Sequence, residues 1–469
     1  MTFKRKTRSF VRTNMTFAAI AALAVAMPVG VASAATAKAK KSHVVHISVV
    51  SLIPGSTQAA FNEFDNQVAE FEAANPGISV KGVQYQWLPA TFAAKLASGT
   101  LPTVFTVPFT DGRSLGNNGQ LANLTKYAEA EPYYKDFNPA VIAEGIDSKK
   151  QVIAIPTAAY AQALSYNRQL FSQAGLNPNK PPTTWAQVEA DAQQISQKTG
   201  KTGYAEMGAS DNTAGWILTT LTDALGGRME TGIGAAAKAT FNNPAAVQAL
   251  NILHTMRWTD NSMGSNFGLS WGTSNQAFAA GQIGMFVSGS DVYTNMVQAD
   301  NINPAIYGLA PIPTANTKTA GALGGGTLAA VSPKSSPAQI AAAMKWINFF
   351  YMSQLVTRKG AIRNAETLVK DKQPVGVPEL PVFDKKIYDE DQKWIKPYIN
   401  VPESQFAPFN NGIFKENVIP EPESATQSIY GDLDSVVQAV FSNQSADPAS
   451  LLAAANSTGQ SSIQQGSAS

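Results

Sequence analysis

The alternation of extended and helical patterns near the start of the chain does most to limit the fold. Residues 46–52 (HISVVSL) are a β-branched run and read as a strand. A Pro54-Gly55 turn and Ser56/Thr57 then open a helix whose Phe61, Phe64, Val68 and Phe71 recur three or four apart on one face. Asn75-Pro76-Gly77 ends that helix, and residues 78–85 read as a second strand. A helix around 91–96, a turn at Gly99 and a buried strand over 104–107 follow. Strands separated by helices cannot pair through tight hairpins, so this order predicts an α/β fold with mostly parallel sheets flanked by helices. Similar alternation runs to about residue 350. Beyond it the chain is helix-rich and punctuated by prolines from Pro374 to Pro422, and its Ser/Gln/Gly-rich end is expected to be disordered.

The N-terminus carries a separate signal. Lys4, Arg5, Lys6, Arg8 and Arg12 precede an apolar run that Pro28 and Gly30 break, and Ala32-Ser33-Ala34 supplies a small-x-small cleavage site. Residues 1–34 therefore read as a secretory signal peptide and 35–43 as a short flexible tail. Five of the 35 basic residues and none of the 33 acidic ones lie in that leader, so the remainder is net −3. Such a balance offers no general excess for phosphates and argues against a nucleic-acid partner. The absence of cysteine excludes disulfides, thiolate metal sites and acylation of an N-terminal cysteine. The expectation is an exported protein, periplasmic or at the cell surface, that is not lipid-anchored through cysteine. Three histidines and no cysteines nearly exclude imidazole-rich metal sites, and neither a metal nor a cofactor is expected.

Catalytic patterns fail on their own requirements. Gly268-Leu269-Ser270-Trp271-Gly272 matches a nucleophile elbow, yet every histidine precedes the serine, so it reads as a loop opening the next helix. Gly200-Lys201-Thr202 lacks the upstream glycine of a phosphate loop, that position being Ile195. Asp389-Glu390-Asp391 reads as a solvated loop or helix start. No catalytic residue is assigned and the chain is not expected to be an enzyme.

Several segments together resemble a known family. Residues 71–80 (FEAANPGISV), 96–104 (LASGTLPTV), Ile155-Pro156 with 166–176 (YNRQLFSQAGL), 181–185 (PPTTW), 241–244 (FNNP), 277–285 (AFAAGQIGM), 307–313 (YGLAPIP) and 324–326 (GGG) occur in order. In this order they resemble the extracellular solute-binding proteins of ABC importers, the carbohydrate-type, maltose-binding-protein-like family. Thr103 stands where that family usually has an aspartate. The resemblance implies two lobes joined by a hinge: 44–158 with 311–355 as the N-terminal lobe, 159–310 with 356–455 as the C-terminal lobe, and 456–469 as a disordered tail. It also implies a monomer that captures a carbohydrate and delivers it to ABC permease subunits.

Ligand contacts in such proteins come from loops facing the interlobe cleft, which agrees with the rule that open α/β sheets bind at the carboxyl ends of their strands. The candidates are Ser56 and Thr57 after the first strand, Trp87 after the second, and Phe109, Thr110 and Asp111 after the third. Tyr160 lies where the chain first crosses between lobes, and Trp216 follows the polar loop 210–213. Ser290, Asp291 and Tyr293 follow the strand at 285–287, and Gly325 would allow close backbone approach. Aromatic rings would pack on sugar C–H faces while polar groups pair with hydroxyls. Trp185 and Trp346, by contrast, read as core. An exported polysaccharide-active hydrolase with a carboxylate pair, and the same fold carrying a non-sugar solute, are the alternatives.

Overall fold

The computed structural model describes residues 44–52 and 58–468; the expected leader and tail, together with Ser56 and Thr57, lie outside the described residues. Among the described residues the strands are β1 (Val45–Val50), β2 (Ile78–Val83), β3 (Val104–Pro108), β4 (Ala154–Asn167), β5 (Thr202–Tyr204), β6 (Glu230–Thr231), β7 (Lys238–Ala239), β8 (Ile283–Gly289), β9 (Tyr307–Pro311), β10 (Ala322–Val331) and β11 (Val418–Ile419). The main sheet runs β2-β1-β3-β10-β4-β8-β5, with β9 on β4 and β11 on β10, while β6 and β7 form a small ribbon of their own.

The α/β architecture expected from the alternation and the two lobes implied by the resemblance are present, but the sheet is mixed. β1 is parallel to β2 and β3, and β5 is parallel to β8. The long strands β4 and β10 instead run antiparallel to each other, β10 to β3, and β4 to β8 and β9. These two strands join the lobes. The half of β4 up to Ala161 pairs with β10, whereas Gln162 to Asn167 pair with β8 and β9. Chain that leaves one lobe and returns to it must run in opposite directions, which is why the antiparallel pairs sit here.

Local chemistry accounts for the element boundaries. The helix Gln58–Ala74 buries Phe64 and Phe71, two of the four expected face residues, beneath β1 and β2. Phe71 and Phe350 hold the fully buried Trp346 at ring-centroid distances of 5.2 and 5.1 Å. Trp185 is likewise buried, at the start of a helix that the Thr184 hydroxyl caps by accepting from the Gln187 N–H at 3.2 Å. Gly99 and Gly175 end their helices with φ of +71° and +79°, a region other residues enter at a cost. Ser270 caps the helix Trp271–Ala279 in a reciprocal box with Thr273, so the elbow-like motif is a helix start.

Two boundaries differ from expectation. Residues 356–399 pack on the first lobe: Lys359 and Arg363 bond Glu70 at 2.8 and 2.9 Å, and Phe383 stacks on Phe137 at 4.5 Å. The later helix Glu403–Asn410 sets Phe406 against Tyr293 and Tyr307 of the second lobe, so the chain crosses back near residue 400 rather than at 356. The end of the chain, expected to be disordered over 456–469, is helical through Ala468. Its Leu452 and Ile463 are buried, Asn456 accepts from the Phe241 N–H at 2.8 Å, and Gly459 lies against the Phe241 ring. Composition hid this because small and amide residues surround the few apolar docking residues, Leu452 and Ile463.

Candidate functional site

Trp87, Thr110, Asp111, Tyr160 and Trp216, five of the expected residues, line one cavity of about 610 Å³. Trp87 follows β2 and rests on Phe92, ring centroids 4.8 Å apart. Thr110 and Asp111 occupy the first turn of the helix Phe109–Asn117, which starts where β3 ends. The site therefore stands at the carboxyl ends of parallel strands, as an α/β sheet requires. The Thr110 hydroxyl donates to Asp111 Oδ2 at 2.7 Å. Burial raises the Asp111 carboxyl above its ordinary range, while the Thr110 hydroxyl and the Trp87 indole pull it back.

The opposite wall comes from the second lobe. The helix Thr213–Ala224 presents Trp216 edge-on to Tyr160, centroids 6.4 Å apart and planes at 89°. Its start is held by Asp434, whose carboxylate accepts from the Asn212 and Gly215 N–H groups, both at 2.8 Å. A carboxylate there satisfies free helix N–H groups and favours the positive end of the dipole. Asn212, at φ +72°, also donates from its amide to Gln427 at 3.0 Å. Asp211, Asn212 and Thr213 thereby reach the cavity wall.

Trp271, 36% exposed, adds a third indole to the cavity lining, and Glu421, Gln427 and Tyr430 complete it. Glu421 is 7% exposed and accepts from the Tyr430 hydroxyl. Its carboxyl is pushed well above the usual range by burial and then by the charges of Glu144, Asp223 and Asp111. Burial also raises the Tyr160 phenol, with Glu421 and Asp291 adding to it.

The other expected residues are placed elsewhere. Phe109 and Tyr293 are buried, Tyr293 between Tyr307 at 5.0 Å and Phe406 at 5.4 Å, so both are packing residues. Ser290 is fully buried, its N–H donating to the Ala161 carbonyl at 2.9 Å. Asp291 lies near Tyr160 but does not line the cavity; crowding pushes its carboxyl up to about 6 although its surface meets solvent. Gly325 faces Tyr160 across the β4–β10 pair, where a side chain would collide with the phenol. It makes room for a lining residue rather than touching the cavity. Of the residues that sequence reasoning missed, Trp271 sits inside the elbow-like motif and Glu421 between Pro420 and Pro422. Gln427 and Tyr430 had no local signal.

Further hollows lie beside this cavity and away from it. A hollow of about 670 Å³ adjoins it and shares Trp87 and Pro108. Another, of about 510 Å³, lies between the helices Trp185–Thr199 and Pro244–His254 and contains none of the expected residues. Among the described residues no group of three or more acidic or imidazole side chains is arranged to hold a metal ion. The cleft has the size of a small-molecule site, about 300–1,000 Å³, with aromatic walls and a few converging polar groups.

Comparison with known proteins gives a consistent picture. The model of the bacterial extracellular solute-binding protein family matches residues 66–360. The sn-glycerol-3-phosphate-binding periplasmic protein of Yersinia pestis is 30% identical over 126 residues, covering 26% of this chain and 28% of that protein. Its counterpart in Escherichia coli K12 is 27% identical over 212 residues, covering 41% and 46% respectively. The chain thus spans less than half the length of these curated relatives. Among solved structures, the cyclic alpha-maltosyl-1,6-maltose binding protein of Arthrobacter globiformis superposes with TM-score 0.69 at 22% identity, over 90% of this chain and 100% of that one. Maltose-bound MalE3 of T. maritima gives 0.65 at 19% identity, over 88% and 100%. The GacH receptor of Streptomyces glaucescens gives 0.65 at 20% identity, over 89% and 99%.

Proposed function

The chain belongs to the bacterial extracellular solute-binding proteins, and on that premise we propose that it captures a carbohydrate in the cleft and delivers it to an ABC-type permease. The observation that carries this reading is the lining of the 610 Å³ cavity: three indoles and two phenols beside carboxyl, amide and hydroxyl groups. Sugars offer apolar C–H faces and a rim of hydroxyls, and such a wall answers both. The solved binders of maltose and of a cyclic maltosyl-maltose share the fold and support the same ligand class. Binding proceeds without turnover in this reading, which the relatives named as binding proteins support. No helix among the described residues is long and apolar enough to cross a membrane. We place the protein outside the cytoplasm, in a periplasm or at the cell surface, as a monomer that is not lipid-anchored through cysteine.

A thermal-shift screen of the protein against mono- and oligosaccharides tests the assignment. A sugar at a hundredfold its dissociation constant stabilises the bound form by about 2.7 kcal/mol. Absence of a shift with every sugar sinks it, and release of reducing ends from any oligosaccharide sinks the claim of binding without turnover.

A further inference from the structure

Charge is distributed unevenly around the cleft. Asp111, Asp211 and Glu421 line it, and among the described residues no lysine, arginine or histidine does. Glu421 is 7% exposed: Tyr430 donates to its Oε2, while no group among the described residues donates to Oε1. The nearest arginines, Arg113 and Arg228, line a separate cavity of about 220 Å³ that shares Glu421. They are engaged with Glu423 at 3.3 Å and Asp223 at 3.5 Å. Trp87, Trp216 and Trp271 line the same cavity, and indole faces attract cations. A neutral solute would leave the Glu421 carboxyl held in its protonated form beside Glu144 and Asp223, and an anion would meet Asp111 and Asp211 with no cation among the described lining residues to offset them.

From this lining we infer that the cleft selects an amine-bearing carbohydrate over its neutral counterpart and rejects phosphorylated sugars. The inference rests on the carbohydrate reading above. The ammonium stands between Asp111 and Glu421, with sugar C–H faces on the indoles. In the empty cleft, burial and the neighbouring Glu144, Asp223 and Asp111 hold the Glu421 carboxyl well above its ordinary range. Tyr160 and Tyr430 are its phenolic neighbours, and Arg228 offsets only Asp223. An incoming ammonium supplies the charge that lets the carboxyl ionise, so binding expels a proton to solvent.

Isothermal titration calorimetry of the protein with glucose, glucosamine, their di- to tetrasaccharides and glucose 6-phosphate tests this. The amino series should bind about tenfold tighter than the neutral one, because charge-assisted hydrogen bonds are about twice as strong as neutral ones. Its heat should change with buffer ionisation enthalpy, as proton release demands, and glucose 6-phosphate should show no binding. Glu421→Gln and Asp111→Asn should each bring the amino-to-neutral ratio towards one, with far-UV circular dichroism checking that each variant folds. Neutral sugars binding as tightly as amino sugars, glucose 6-phosphate binding alongside them, or a preference surviving both substitutions overturns the inference. Binding by no sugar of either series overturns the carbohydrate reading beneath it.

Discussion

Trp216→Ala separates a ligand platform from a packing residue. Trp216 is half-buried on the first turn of the helix Thr213–Ala224 and meets Tyr160 edge-on at 6.4 Å, so one indole face is turned to the cavity. A sugar ring covering about 80 Å² of that face contributes about 2 kcal/mol at about 25 cal/mol per Å². Losing it raises the dissociation constant about 30-fold. The fold should tolerate the change, because the neighbouring Ile217, Leu218 and Leu221 carry the helix's own burial. Calorimetric titration with the tightest sugar from the screen reads the affinity, and far-UV circular dichroism with a thermal melt reads the fold. An affinity within twofold of the parent, or a melt collapsing alongside lost helicity, would refute the reasoning and place Trp216 in the core.

Gly325→Ala should destabilise the protein by about 1–3 kcal/mol through overpacking against Tyr160, and Tyr160→Phe in the same chain should recover part of that loss in a double-mutant cycle. Burial holds the Glu206 carboxyl at about 8, so the folded state binds a proton there that the unfolded chain releases near pH 4.5. Stability from this group is therefore full below about pH 4.5 and falls as pH rises through 8. Glu206→Gln should flatten that decline in melts between pH 5 and 9, and an unchanged slope counts against it. Thr184→Ala should cost about 1 kcal/mol in denaturant unfolding by removing the cap on the helix Trp185–Thr199.

What was legible in the sequence was local. The first three strands and the turn at Gly99 each depend on a few adjacent residues, and each stands where the pattern places it. Residues directly after a strand were legible too, since Thr110 and Asp111 reach the cavity because β3 ends beneath it. Aromatics were not. Tyr293 and Trp216 both begin helices, but Tyr307 and Phe406 close over Tyr293 while Trp216 lines the cavity. The boundary at residue 356 failed for a similar reason. Whether 356–399 stays on the first lobe depends on Glu70 and Phe137, more than two hundred positions upstream in the chain.

The part of the site that no local pattern announces also ties the lobes together. Glu423 accepts from Arg113 at 3.3 Å and from Asn117 at 3.1 Å, and the Thr426 hydroxyl donates to the Thr110 carbonyl at 3.0 Å. These bonds join the helix Phe109–Asn117 to chain some three hundred residues later, just after Glu421. If the lobes part about the β4–β10 ribbon, the contacts and the cavity wall separate in one movement. A partly exposed ion pair contributes no more than about 1 kcal/mol, so these bonds bias closure without locking it. A solute touching both walls at a hundredfold its dissociation constant adds about 2.7 kcal/mol to the same state, and that difference lets occupancy rather than the empty protein decide which shape prevails.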